Sequence, residues 1–77
     1  MIGKLDLAVR VSALNMKLTS RQMYVELGSE DGKVYLDLWR MAGDSEEHKV
    51  LCLADGLNYR EMLAVLRALL LWEEVGK

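Results

Sequence analysis

The sequence predicts an α+β fold: a four-stranded antiparallel sheet followed by one long C-terminal helix, in one domain spanning residues 1–77. Three observations predict it. Apolar and polar residues alternate over several short stretches, the period of half-buried strands. Polar clusters containing glycine separate the later stretches. The run from Tyr59 to Val75 contains neither Gly nor Pro and carries its apolar residues at helical spacing.

The first predicted strand covers residues 4–12, KLDLAVRVS, where Leu5, Leu7, Val9 and Val11 alternate with Lys4, Asp6, Ala8, Arg10 and Ser12. A helix is the competing arrangement. It would place Leu7, Val11, Leu14 and Leu18 in one stripe and Ile2, Leu5, Val9, Ala13 and Met16 in another on the opposite side. A surface helix carries one apolar stripe, so the strand is preferred. The apolar phase changes near Ala13, which predicts a turn or bulge around Ser12–Asn15.

The second strand covers residues 21–27, with Met23, Val25 and Leu27 on one side. GSEDGK at 28–33 is a turn cluster. The third strand covers 33–41 and sets Val34, Leu36 and Leu38 on one face against Tyr35, Asp37, Trp39 and Met41 on the other, so the two strands form a hairpin. AGDSEE at 42–47 is a polar loop, residues 48–53 form the fourth strand, and ADG at 54–56 ends it. Asn58 then caps a helix over 59–75. Glu61 completes a capping box, Leu57 and Met62 form a hydrophobic staple, and Gly76 stands at the C-terminal end.

The predicted core-facing side of the helix is Tyr59, Met62, Leu63, Val65, Leu66, Leu69, Leu70 and Trp72, a face about 180° wide. The back of the helix is only partly polar. Ala64, Ala68, Leu71 and Val75 form a second stripe there, and its small residues allow close approach by another element. This stripe is the predicted dimer or partner interface.

Composition narrows the function. The chain has 77 residues, 52% of them hydrophobic and 29% charged, which is a globular composition. A single Cys excludes an internal disulfide framework, and one Cys with one His falls short of a zinc site. A domain this small is marginally stable alone, so a homodimer, formed through the helix or a sheet edge, is expected. No apolar run is long enough to span a membrane and the N-terminus has no signal-peptide pattern, so a cytoplasmic protein is expected. The net charge of −2 sets the chain apart from the basic domains that grip duplex nucleic acid through its phosphates.

No catalytic constellation emerges, no cofactor or metal is expected, and the protein is predicted not to be an enzyme. His48 and Cys52, four residues apart on a strand, would have Cα atoms about 13 Å apart, too far for a nucleophile and its base. Asp44, Glu46, Glu47 and His48 match no cation-binding pattern and read as a solvated charge run. GSEDGK lacks the spacing of a phosphate-binding loop. Tyr24, Tyr35 and Trp39 are aromatic candidates on the central hairpin, with Arg10, Lys17, Arg21, Lys33, Arg40 and Lys49 along or near strands. Aromatic rings among cations on a sheet hold single-stranded nucleic acid by base stacking and phosphate pairing. The alternative role for Tyr35 and Trp39 is a buried face or interface core.

GKVYLDLWR at 32–40, the polar loop, HKVLCL and NYREMLAVLRALL at 58–70 together resemble the single-strand-DNA-binding domain of the transcriptional coactivator positive cofactor four. The resemblance covers roughly residues 20–72. It implies a helix-mediated homodimer holding single-stranded DNA on curved sheets, with Lys33, Trp39 and Arg40 at or beside the DNA. DSEEH replaces the family's basic, Gly-rich loop. Two functions are therefore expected. One is a single-stranded nucleic-acid-binding homodimer acting in transcription or replication, using Lys33, Tyr35, Trp39 and Arg40. The other is a protein-interaction module, such as a small phage or mobile-element regulatory or inhibitory protein.

Overall fold

Residues 4–18 form a helix, not a strand. The computed structural model describes residues 2–41 and 47–76, and it opens with α1 (Lys4–Leu18). The Asp6 carboxylate accepts a hydrogen bond from the Gly3 amide at 2.8 Å, which closes the N-terminus, and Lys17 stands in the last turn. Both charges suit the helix dipole. The predicted turn at Ser12–Asn15 lies inside this helix. Leu7, Leu14 and Leu18 are buried along one stripe, while Leu5, Val9 and Met16 of the other are 76%, 56% and 79% exposed. The rule that a surface helix carries one apolar stripe is what fails here.

A 3-10 turn (Thr19–Arg21) leads through Gln22, held at φ 58°, into the sheet. The sheet has three antiparallel strands in the order β1 (Met23–Glu30), β2 (Lys33–Met41), β3 (Glu47–Leu57). It is one strand short of the four expected, because the first expected strand is α1. The β1–β2 turn is tighter than the six-residue cluster suggests. Gly28, Ser29 and Glu30 belong to β1, and Glu30 pairs with Lys33. Only Asp31 and Gly32 make the turn, both at positive φ (52° and 76°), the geometry of a two-residue hairpin loop whose twist matches the strands. β3 runs on through Ala54–Gly56 to Leu57, with register shifts against β2. Of the expected loop at 42–47, Glu47 already belongs to β3, and residues 42–46, with the carboxylates of Asp44 and Glu46, lie outside the described residues.

Helix α2 (Tyr59–Val75) has the bounds expected. The Glu61 amide donates to Asn58 Oδ1 at 2.8 Å and the Asn58 amide donates to Glu61 Oε1 at 3.0 Å, the reciprocal capping box. Both helices pack on one face of the sheet. Val25, Val34 and Leu36 from the strands, Leu7, Leu14 and Leu18 from α1, and Met62, Leu63 and Leu66 from α2 form the core. Tyr59, Val65, Leu69 and Leu70 pack at its margin as expected, but Trp72 is 73% exposed. Glu73, one residue on, is buried and receives two hydrogen bonds from the Arg21 guanidinium, which ties the end of α2 to the 3-10 turn. Among the described residues, no helix is long and apolar enough to cross a membrane.

Candidate functional site

The alternation of β2 sends Val34, Leu36 and Leu38 toward the helices and Tyr35, Asp37 and Trp39 toward the opposite face. There Trp39 pairs directly with Tyr24 of β1, and their rings stack with centroids 6.3 Å apart and planes 8° from parallel. Tyr35 pairs with Gly28 and lies flat over it, so close that a Cβ on residue 28 would overlap the Tyr35 ring at Cζ. The glycine is required by this close approach. The three rings are neither the core under the helices nor freely exposed. Each is half-buried, laid along the sheet.

Between Tyr35 and Trp39 stands Asp37, 6% exposed. Its Oδ2 meets Lys49 Nζ of β3 at 3.4 Å. Asp37 Oδ1 and Trp39 Nε1 are buried with no hydrogen-bond partner among the described residues. Cys52 lies opposite Asp37 in the register. Its pKa is raised: loss of solvation against the sheet comes first, then the hydrogen bond to Asp37, then the charges of Asp37 and Asp55, even though the residue as a whole is exposed. Such a thiol is the reverse of an activated nucleophile. His48 pairs with Arg40, three positions along β2 from Asp37, so it sits about 10 Å from Cys52 at strand spacing. Among the described residues, no group of three or more His, Cys, Asp or Glu side chains is gathered to hold a metal ion.

The expected nucleic-acid residues are therefore brought together only in part. Tyr35 and Trp39 share a face. Lys33 stands at the hairpin end and exposed Arg40 at the other, about 23 Å apart along the strand. The carboxylates of Glu26 and Asp37 lie between them on or beside that face.

The expected interface stripe is exposed along its whole length. Ala64 and Ala68 are exposed, Leu71 is 61% and Val75 72% exposed, on the side of α2 opposite Met62 and Leu66. The matching feature on α1 is Leu5, Val9 and Met16, the second stripe that argues against a helix when the sequence is read alone. Each helix thus has one apolar side in the core and another facing outward.

β3 carries further exposed apolar side chains: Val50 at 49%, Leu51 at 48% and Leu53 at 37%. Leu53 borders an apolar cleft of about 140 Å³ together with Leu14, Leu38, Leu69 and Trp72. Comparison of the chain with protein-family models, curated proteins and solved structures returned no match.

Proposed function

We propose that the domain is a non-enzymatic protein-interaction module that docks a partner protein on the outer surface of its helices. One observation carries this reading: α1 has two opposite apolar stripes, Leu7–Leu14–Leu18 buried at 5% exposure or less and Leu5–Val9–Met16 exposed at 56% or more. A helix apolar on both sides is one that becomes buried on both sides. The α2 stripe Ala64–Ala68–Leu71–Val75 repeats the pattern on the neighbouring helix, and exposed apolar surface of this extent on so small a domain is characteristic of partner sites.

The test compares proteins captured from lysate of the source cells by the wild type and by Leu5→Glu/Met16→Glu. Both substituted side chains are exposed, so the circular dichroism spectrum stays that of the wild type. A protein retained by the wild type and lost by the variant supports the reading. Identical capture by the two overturns it.

A second reading, single-stranded nucleic-acid binding on the opposite face, draws on the stacked Tyr24–Trp39 pair, with Lys49 across from Trp39 in the register. An aromatic platform of this kind stacks bases, and a nearby cation pairs with phosphate. Salt-sensitive binding of a labelled single-stranded oligonucleotide, followed by fluorescence polarisation and lost in Trp39→Ala, supports it. No polarisation change at low salt removes it.

A further inference from the structure

The pairing of β1 with β2 fixes which backbone groups of β1 face away from the sheet. Its register runs from Met23↔Arg40 to Glu30↔Lys33 without a shift. Glu30 and Lys33 flank a two-residue turn, where the facing residues bond one another. At the far end the Met41 amide donates to the Gln22 carbonyl. The even-numbered residues of β1 therefore bond β2, and the odd-numbered ones turn their N–H and C=O outward. Val25 agrees, since both of its groups bond the Asn15 side chain. Leu27 and Ser29 have the same orientation, yet their outward groups meet no partner among the described residues. Asn15 guards one residue of this edge and leaves the stretch beyond it open.

A cleft follows the open edge. One part, of about 680 Å³, lies between Ala8, Ser12 and Met16 of α1 and residues 24–27 of β1. Tyr24 and Glu26 point to one face of the sheet and Val25 and Leu27 to the other. A cavity lined by all four wraps the edge itself rather than resting on either face. A second part, of about 240 Å³, continues from Leu27 to Ser29 alongside Lys4 and Ala8 of α1. Ala8 and Ser12 are small and exposed, so α1 does not close over the strand.

The chemistry of the cleft specifies its occupant. Outward N–H and C=O groups at every second residue accept an extended backbone. On the helix side Val11, Met16 and Leu27 offer apolar contacts. On the other face exposed Glu26 stands directly opposite Asp37, a like-charge pair. Lys49 contacts Asp37, and no cation lies within ion-pair distance of Glu26 among the described residues. A basic side chain opposite Glu26 on an added strand supplies the missing charge, because facing residues of neighbouring strands share a face.

We infer that a short extended segment of a partner protein adds to the outer edge of β1 at Leu27 and Ser29, with apolar side chains toward α1 and a lysine or arginine beside Glu26. This rests on the reading of the domain as a protein-interaction module, and it names the mode of docking: Met16 of the outer α1 stripe becomes one wall of the site.

The experiment selects short random peptides displayed on phage against the whole chain. The selected peptides are expected to alternate apolar with basic residues and, made synthetically with a fluorescent label, to bind saturably by fluorescence polarisation. Methylating the peptide nitrogens that would pair with β1 keeps every side chain and is expected to weaken binding about tenfold or more. Ser29→Pro removes one outward N–H without removing a β1–β2 bond, so the circular dichroism spectrum stays that of the wild type and binding weakens about tenfold. Glu26→Lys, at an exposed position, is expected to weaken the basic peptides as well. Selection that yields no binder overturns the inference. So do binders indifferent to the methylated nitrogens or to Ser29→Pro. A protein lost from lysate capture by Leu5→Glu/Met16→Glu but retained by Ser29→Pro also overturns it, and leaves helix docking standing.

Discussion

The side-chain amide of Asn15 stands in for a missing fourth strand at Val25. Its Nδ2 donates to the Val25 carbonyl at 3.1 Å and its Oδ1 accepts from the Val25 amide at 2.7 Å. These are the two bonds an adjacent strand would make, supplied instead by one side chain from α1. Replacing Asn15 with Leu leaves both backbone groups without a partner, and a stranded buried polar group costs about 1–3 kcal/mol. The site is only part-buried, so the lower half of that range is expected in urea denaturation. Asn15→Asp keeps the acceptor and loses the donor. It should also destabilise, since a carboxylate would then stand against the Val25 carbonyl.

The exposure pattern of α1 gives a sharper test of the helix itself. Leu7 and Leu14 are 0% and 2% exposed, whereas Leu5 and Val9 are more than half exposed. Leu7→Ala or Leu14→Ala should therefore cost about 2–5 kcal/mol. Leu5→Ala and Val9→Ala should stay within about 0.5 kcal/mol of the wild type, as surface substitutions do. A strand at 4–12 would place Leu5, Leu7 and Val9 on one face and make all three costly. Chemical denaturation of the four variants separates the two patterns.

That contrast also explains what the sequence could show. α2 is legible because its start is chemically specific: Asn58 and Glu61 satisfy one another's backbone amides. The β1–β2 hairpin is legible because strict alternation surrounds Asp31-Gly32. α1 is not, because its two stripes make a period that strand and helix templates both fit over short windows, and the decision turns on whether the second stripe needs covering within one chain. Trp72 and Glu73 exchange places for a related reason. Apolar periodicity favours burying the tryptophan, but a partner 52 positions away, Arg21, makes burial of the carboxylate possible. Alternation alone puts Tyr35 and Trp39 on a common face. Their lying flat, one on Gly28 and one on Tyr24, depends on cross-strand register that no single segment encodes.

The Arg21–Glu73 pair predicts an asymmetric response to mutation. The Glu73 side chain is 8% exposed and that of Arg21 52%. Arg21→Met leaves a buried carboxylate without its partner, whereas Glu73→Met frees a guanidinium that can turn to water. Breaking a fully buried pair costs about 3–5 kcal/mol. With one partner half in solvent, Arg21→Met should cost about 1–2 kcal/mol after discounting for screening, and Glu73→Met less than Arg21→Met. Thermal denaturation of both variants checks the order. Glu73→Met proving the more harmful would mean that the pair itself, rather than relief of a buried charge, stabilises the end of α2.

Gly28 and Tyr35 should couple strongly. Gly28→Ala puts a methyl group where the Tyr35 ring lies, so the ring must lift from the sheet. Overpacking of this kind costs about 1–3 kcal/mol. In Tyr35→Ala the obstacle is gone, and adding Gly28→Ala should then cost almost nothing. A double-mutant cycle measured by denaturation gives this coupling directly. Additive effects would show that the ring does not rest on Gly28. The same variants report on the nucleic-acid reading, since lifting Tyr35 changes the aromatic face without altering any charge.

Cys52 provides the pH-dependent prediction. Loss of solvation, then hydrogen bonding to Asp37 and the negative charges of Asp37 and Asp55, hold its thiol pKa above the ordinary value. The thiolate is the species that reacts with iodoacetamide, so alkylation of the folded protein should rise with pH along a curve displaced upward from that of a cysteine-containing peptide. The sign for stability follows from the same shift. A group whose folded pKa is raised favours folding below its unfolded pKa, and that contribution is lost as pH climbs through the folded pKa. Asp37→Asn removes the nearest negative charge and leaves Lys49 without its carboxylate, so both changes favour the thiolate and the alkylation curve should move to lower pH. A wild-type midpoint at or below that of the peptide would mean that Cys52 is activated after all, and the opposite face of the sheet would then have to be considered as a place where covalent chemistry occurs.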